Sequence, residues 1–336
     1  TPIPRIHDEF SYLLASDTFS EGRLANPSHS FWKHFESFHI FHQPSYASKY
    51  PPGQGLFLAA GQVLTGRPIV GVWLSIALAC AAICWMLQAW VPPRWALAGG
   101  LLSALHPLII LWGQNFWGGG VAVLGGALLF GAVRRLIIQP RTVTAIIAGV
   151  GLFLLAVSRP FEGFLTALSA ALFLLIWMVR QQQFSRMLLF RSVLLPLGIA
   201  SLCILGALAY YNDSVTGSPS RFPYQVYEES ASPTPLFIWG TPRTVNFTNS
   251  HLEKYHSEWS FATYQRQLEL NGYLSTVSLK ASRLIGNLIV FPLGIFLVML
   301  PWILKDRWGQ FAAIVVLLIC LVDLCGATFF QPHYLA

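Results

Sequence analysis

Apolar runs near the length that crosses a bilayer dominate the chain. A membrane-crossing helix needs about 20 apolar residues. Runs of that order lie at 69–91, 96–112, 118–138, 142–158, 162–179, 190–211, 285–304 and 309–328. A shorter run, 55–66, follows Pro51, Pro52 and Gly53 and reads as a re-entrant or surface-lying helix. Polar residues collect in two segments. The first, 1–68, is rich in histidine and aromatics. The second, 212–284, opens on turn residues (Asn212, Asp213, Thr216, Gly217, Ser218, Pro219) and closes on an amphipathic helix over about 251–283.

Basic residues in the short loops set the orientation. With 55–66 not crossing, the loops 92–95, 134–141, 180–191 and 305–308 share one side and carry nine Lys and Arg against Asp306 alone. A crossing at 55–66 would move these clusters to the side of 1–54, against the rule. The segments 1–68, 112–117, 159–161, 212–284 and 329–336 are therefore expected outside. The expected organisation is an external loop with interfacial helices (1–68), six transmembrane helices (69–211), an external loop with an amphipathic helix (212–284), and two further transmembrane helices leading to another external segment (285–336). The chain begins at Thr1 and ends just after an apolar run, so it reads as a piece of a longer protein.

Composition agrees. The 336 residues are 54% hydrophobic and 10% charged, against about 25% charged in a soluble domain. A soluble globular protein and a disordered one are excluded. The net charge of +7 comes from the cytoplasmic loops, so it signals orientation rather than a nucleic-acid partner. The five cysteines (Cys80, Cys84, Cys203, Cys320, Cys325) all lie in apolar runs and imply no disulfide framework.

Twelve of the fourteen acids lie outside or at the outer boundary, so reactive chemistry is sought there. In His7-Asp8-Glu9-Phe10-Ser11, Asp8 is either the N-cap of a following helix, with Glu9 solvated, or an ionised base at a helix N-terminus. In Ser48-Lys49-Tyr50-Pro51-Pro52, Lys49 is either a snorkelling lysine or a cation meeting a lipid phosphate. In Ser158-Arg159-Pro160-Phe161-Glu162, Arg159 either pairs with Glu162 or binds a phosphate with its planar fork. His333, in Gln331-Pro332-His333-Tyr334, is either a donor to an anion or part of an interfacial belt. The histidines 29, 34, 39 and 42 have spacings that fit no helical metal-ligand pair, and the interleaved aromatics favour a surface-lying segment. No cofactor is implied, and ligand spacing gives no support to a divalent cation. Asp323, inside a span, is a functional candidate or a partner for a neighbouring helix.

Together these residues resemble the GT-C superfamily of integral-membrane glycosyltransferases, most nearly the branch holding protein O-mannosyltransferases and the lipid A aminoarabinose transferase. "HDEFSYLLA" is similar to that family's Asp-Glu motif, and "SKYPPGQGLFLAAG" to its Lys-Pro-Pro segment. The resemblance implies an all-α polytopic membrane protein with a GT-C-like helix bundle. It further implies a bacterial inner-membrane enzyme with a periplasmic active site. That enzyme would move a sugar from a polyprenyl-phosphate donor to a hydroxyl on a glycan, lipid or protein, with inversion. Asp8, with Glu9 beside it, is then the catalytic base. Lys49, with Tyr50 beside it, then joins the substrate site; from the residues themselves rather than the resemblance, Arg159 and His333 are further candidates for the leaving phosphate, with Glu162 beside Arg159. The stretch Trp112-Gly113-Gln114-Asn115-Phe116-Trp117-Gly118 lacks the second acid that many relatives carry there; Asn115 can hydrogen-bond a substrate but not act as an ionised base. The competing reading is a non-enzymatic transporter or flippase of lipid-linked sugars or polysaccharide, which would bind with the same groups without reacting.

Overall fold

The computed structural model describes residues 2–288 and 293–327. The chain is mostly helical (72%), and among the described residues five helices are long and apolar enough to cross a membrane, as in an all-α integral membrane protein. Helix α1 is His7–Ser20. The chain divides into two compact units. The first holds Thr1–Arg5, Tyr12–Gly22 and Pro51–Tyr211; the second holds Ile6–Ser11, Arg23–Tyr50 and the chain from Asn212 onward.

The first unit is a helix bundle. Its elements are α2 (Pro52–Thr65), α3 (Pro68–Leu87), α4 (Pro93–Ala104), α5 (Pro107–Trp112), α6 (Gly120–Ile138), α7 (Thr142–Ser158), α8 (Pro160–Arg180), α9 (Arg186–Leu189) and α10 (Leu195–Thr216) as far as Tyr211. A π-turn over Phe190–Leu194 joins α9 to α10 in one 31-residue helical run. Proline stands in the first turn of α2, α3, α4, α5 and α8, where its missing N–H has no intrahelical acceptor to lose. Small residues let the helices touch. A Cβ on Gly71 would stand 1.8 Å from the Phe57 carbonyl oxygen, and one on Gly61 2.3 Å from the Gly71 nitrogen, so α2 and α3 meet backbone to backbone. Gly125 and Gly151 do the same for α6 and α7. Leu58, Ile69, Val72 and Phe116 close one buried cluster.

Five of the expected runs coincide with the long helices α3, α6, α8, α9–α10 and α16 (Arg307–Cys325). The run 142–158 forms the 17-residue α7. The run 96–112 does not make one helix. Pro107 has no N–H and pushes the preceding residue out of the helical region. His106 is accordingly extended (φ −65°, ψ 130°), and its Nδ1 accepts from the Leu108 N–H at 3.2 Å to cap α5. The turn placed at Asn212 is also displaced: α10 runs on to Thr216 and ends at Gly217, whose φ of 72° suits glycine.

The second unit holds the first turn of α1, a short antiparallel pair β1 (Ile40–Phe41) and β2 (Ala47–Ser48), α11 (Pro223–Ala231), α12 (Ser250–Glu253), a π-helical segment Lys254–Phe261, α13 (Ala262–Gln267), α14 (Leu270–Leu288), a 3-10 helix Leu293–Met299, α15 (Leu300–Ile303) and α16. The single amphipathic helix expected over 251–283 is thus several pieces. They break at Leu268–Glu269, where a Cβ on Gly272 would stand 1.9 Å from the Arg266 carbonyl oxygen. Residues 285–304 likewise form α15 and parts of neighbouring elements, with 289–292 outside the described residues. Lys280 fastens α14 to the end of α16 by donating to the Asp323 and Gly326 carbonyls at 2.5 and 2.8 Å. Segment 1–68 carries this β-pair as well as helices.

Candidate functional site

The first turn of α1 begins at His7, so Asp8 lies inside the helix and is not its N-cap. Glu9 does the capping: its Oε2 accepts from the Ile6 N–H at 3.1 Å, while the Glu9 N–H donates to the Ile6 carbonyl at 3.0 Å. Glu9 is 2% exposed. Its expected solvation is therefore overturned, and its carboxylate is turned to the backbone, which fits a structural role better than the catalytic one expected of it.

Strand pairing then brings the rest of this segment to Asp8. Ile40 pairs with Ser48 and Phe41 with Ala47. The Lys49 N–H donates to the His39 carbonyl at 3.1 Å. Ser11 Oγ donates to the same carbonyl at 2.6 Å and shares a 2.7 Å hydrogen bond with Ser48 Oγ. His39 is held with φ 64°, in the left-handed region that few non-glycine residues adopt. Its N–H donates to the Tyr227 hydroxyl at 2.9 Å. The Tyr50 hydroxyl donates to Asp8 Oδ1, and His39 Nε2 lies 3.7 Å from the same oxygen. The Asp8 side chain keeps 16% of its surface exposed, enough to meet a ligand.

Helix α11 supplies what the sequence reading missed. Tyr224, Tyr227 and Glu228 sit at i, i+3 and i+4, on one helix face. Glu228 Oε1 accepts from Lys49 Nζ at 3.1 Å. The same ammonium lies 4.5 Å from the Tyr227 ring centre, 4.9 Å from Tyr224 and 5.5 Å from Tyr50. Lys49 is 5% exposed. It neither snorkels nor stands open at the interface, and a phosphate would have to displace Glu228 to reach it. A third element, the segment Lys254–Phe261, adds Tyr255 and His256. Phe38 packs on Tyr255 (5.0 Å), on His256 (6.3 Å) and on His7 (4.3 Å).

The electrostatics follow from burial. His39 is held well below the usual histidine range by burial and by the nearby positive charge of Lys49, with His7 and His256 adding to it. His256 is pushed down to about 4, mainly by burial, with Lys49 lowering and Glu228 opposing. Tyr255 is pushed up to about 12 by burial, with Asp8 and Glu228 adding to it. At neutral pH His39 and His256 are therefore neutral imidazoles, and Tyr255 is a protonated phenol.

Asp8, Lys49 and Tyr50 are thus brought together, and Glu228 places a second carboxylate beside them. Asn115, Arg159 and Glu162 belong to the first unit. Asn115 Nδ2 donates to the Leu111 carbonyl at 2.9 Å, and its buried Oδ1 has no partner among the described residues. Arg159 (φ −139°, ψ 73°) ends α7 and begins α8, and Glu162 lies in the first turn of α8. His333 lies outside the described residues. Of the four clustered histidines, His39 joins the site. His42 is buried, with Trp32 (6.4 Å) and Tyr46 (5.4 Å) against its ring, while His29 and His34 are exposed. Among the described residues no group of three or more His, Cys, Asp or Glu is arranged to hold a metal ion. Compared with protein-family models, curated proteins and solved structures, the chain matches none.

Proposed function

We propose that the chain is a membrane glycosyltransferase of the GT-C kind, acting on the outer face of a bacterial inner membrane. A sugar leaves a polyprenyl-phosphate donor and is taken by an acceptor hydroxyl. The acceptor oxygen bonds to the anomeric carbon as the bond to the phosphate oxygen breaks on the opposite face, which inverts the centre. The acceptor proton passes to Asp8, and the polyprenyl phosphate departs as an anion. The observation that supports this reading is the Asp8 carboxylate: partly exposed, contacted by the Tyr50 hydroxyl, and 3.7 Å from His39, an imidazole that burial keeps neutral and so leaves Asp8 free to take the proton.

Asp8→Asn keeps the shape and removes the base. In proteoliposomes supplied with polyprenyl-phosphate sugars, transfer is expected to fall by roughly 10²–10⁴-fold while donor binding persists. Transfer at the wild-type rate would end the assignment. The break between α4 and α5 at Leu105–His106 favours the second reading, a transporter of lipid-linked sugar, because broken helices line many transport sites. That reading expects sugar lipid to cross the bilayer with no new glycosidic bond formed.

A further inference from the structure

Of the buried histidine nitrogens in the second unit with no hydrogen-bond partner among the described residues, three belong to rings that pack on Phe38, Nδ1 of His39 and Nδ1 and Nε2 of His256, while a fourth, Nε2 of His42, lies apart against Trp32 and Tyr46. Buried polar groups in native proteins are nearly always satisfied by protein, ligand or water, so these three nitrogens mark a place where hydroxyl groups are well received. His256 is 4% exposed. Its ring stacks on Phe247 (5.8 Å, 10° between planes) and meets Tyr255 edge-on at 5.0 Å. His39 and His256 share Phe38, with ring centres 6.2 and 6.3 Å from it.

The chemistry of the missing partner can be read from these groups. A neutral imidazole offers one donor and one acceptor. Burial and the nearby Lys49 keep both rings neutral. An anion would satisfy only the donors, and a cation only the acceptors. A hydroxyl does both. Of the charges alongside, Lys49 and Glu228 pair with each other, and Asp8, 3.7 Å from His39 Nε2, is the base of the proposed transfer rather than a counter-ion for the sugar. The Phe38 and Tyr255 rings offer apolar surface against which the C–H face of a sugar ring packs.

We infer that His39 and His256, with Phe38 and Tyr255, form a subsite for the ring hydroxyls of an uncharged sugar. It rests on the glycosyltransfer reading for what happens to that sugar next: the sugar to be moved is held beside His39, within reach of the Asp8 carboxylate. His39 and His256 are binding groups in this arrangement and take no proton.

The test uses the full chain in nanodiscs, with methyl glycosides of glucose, mannose, galactose and arabinose as probes in saturation-transfer NMR. At least one glycoside is expected to bind. Its signal should fall at least fivefold in His256→Phe and survive in His256→Gln, whose amide also carries donors and an acceptor. Failure of every glycoside to bind the wild-type chain, or undiminished binding by His256→Phe, overturns the subsite. Should His256→Phe misfold, the wild-type chain labelled with 15N-histidine decides. Glycoside addition must shift the His256 ring nitrogens, identified by their loss in His256→Gln, and unmoved resonances overturn the subsite. Glycoside binding together with wild-type-like transfer by Asp8→Asn would remove the base role and leave the subsite standing.

Discussion

Lys49 Nζ and Glu228 Oε1 meet at 3.1 Å although 179 positions separate them in sequence. Their side chains are only 6% and 14% exposed. Removing one member of such a pair strands a buried charge, at a cost of about 3–5 kcal/mol, whereas replacing both by apolar groups is often neutral. Glu228→Gln is therefore expected to lower the thermal unfolding temperature in detergent clearly. Lys49→Met combined with Glu228→Leu should recover most of the loss. Equal destabilisation by the single and double variants would show that the pair contributes by packing alone.

Stability should depend on pH through His256. Its folded value is about 4 and its ordinary value 6.5, so between these the unfolded chain binds a proton that the folded chain does not. The stabilisation is complete above pH 6.5 and is lost as pH falls towards 4. The full amount is about 3 kcal/mol, at 1.36 kcal/mol per unit. His39, lowered for the same reason and facing Lys49, His7 and His256, acts in the same direction. Thermal unfolding at pH 7 and pH 5 should show a larger drop for wild type than for His256→Gln. Parallel pH curves would remove His256 as the cause.

Gly71→Ala tests the α2–α3 contact. The added Cβ would stand 1.8 Å from the Phe57 carbonyl oxygen, a backbone atom that cannot rotate away. Overpacking of this kind costs about 1–3 kcal/mol and often more. Gly126→Ala is the control, because a Cβ there meets nothing within 4 Å. The first variant should lose thermal stability and yield, and the second should match wild type.

Orientation can be read by labelling. Ser30 and Gln182 are both exposed. A membrane-impermeant maleimide applied to intact spheroplasts should modify Ser30→Cys and spare Gln182→Cys, which should react only after lysis. The reverse pattern would place the Asp8 site in the cytoplasm.

The residues that could be read from sequence are those whose role is local. Apolar length marked α3, α6, α8 and α16, because a helix satisfies its own backbone and needs only a run of apolar side chains to sit in lipid. Pro51-Pro52 marked the start of α2, and Asp8 announced a helix start nearby, though α1 begins at His7, ahead of it. Apolar length alone misled at 96–112, where the missing N–H of Pro107 divides the run into α4 and α5.

What tertiary structure alone decided is which side chains meet. Nothing near Lys49 in sequence announces Glu228, Tyr224 or Tyr227, because α11 lies far along the chain and is brought to it by folding. Glu9 looked like a solvated partner of Asp8 until the helix start at His7 turned its carboxylate to the Ile6 N–H. His39 read as one of four similar histidines, and only the left-handed backbone at that position and the pairing with Lys49 put it beside Asp8. Local propensity and apolar length set the helices; burial, which neutralises His39 and His256 and pairs Lys49, depends on long-range contacts that no local pattern encodes.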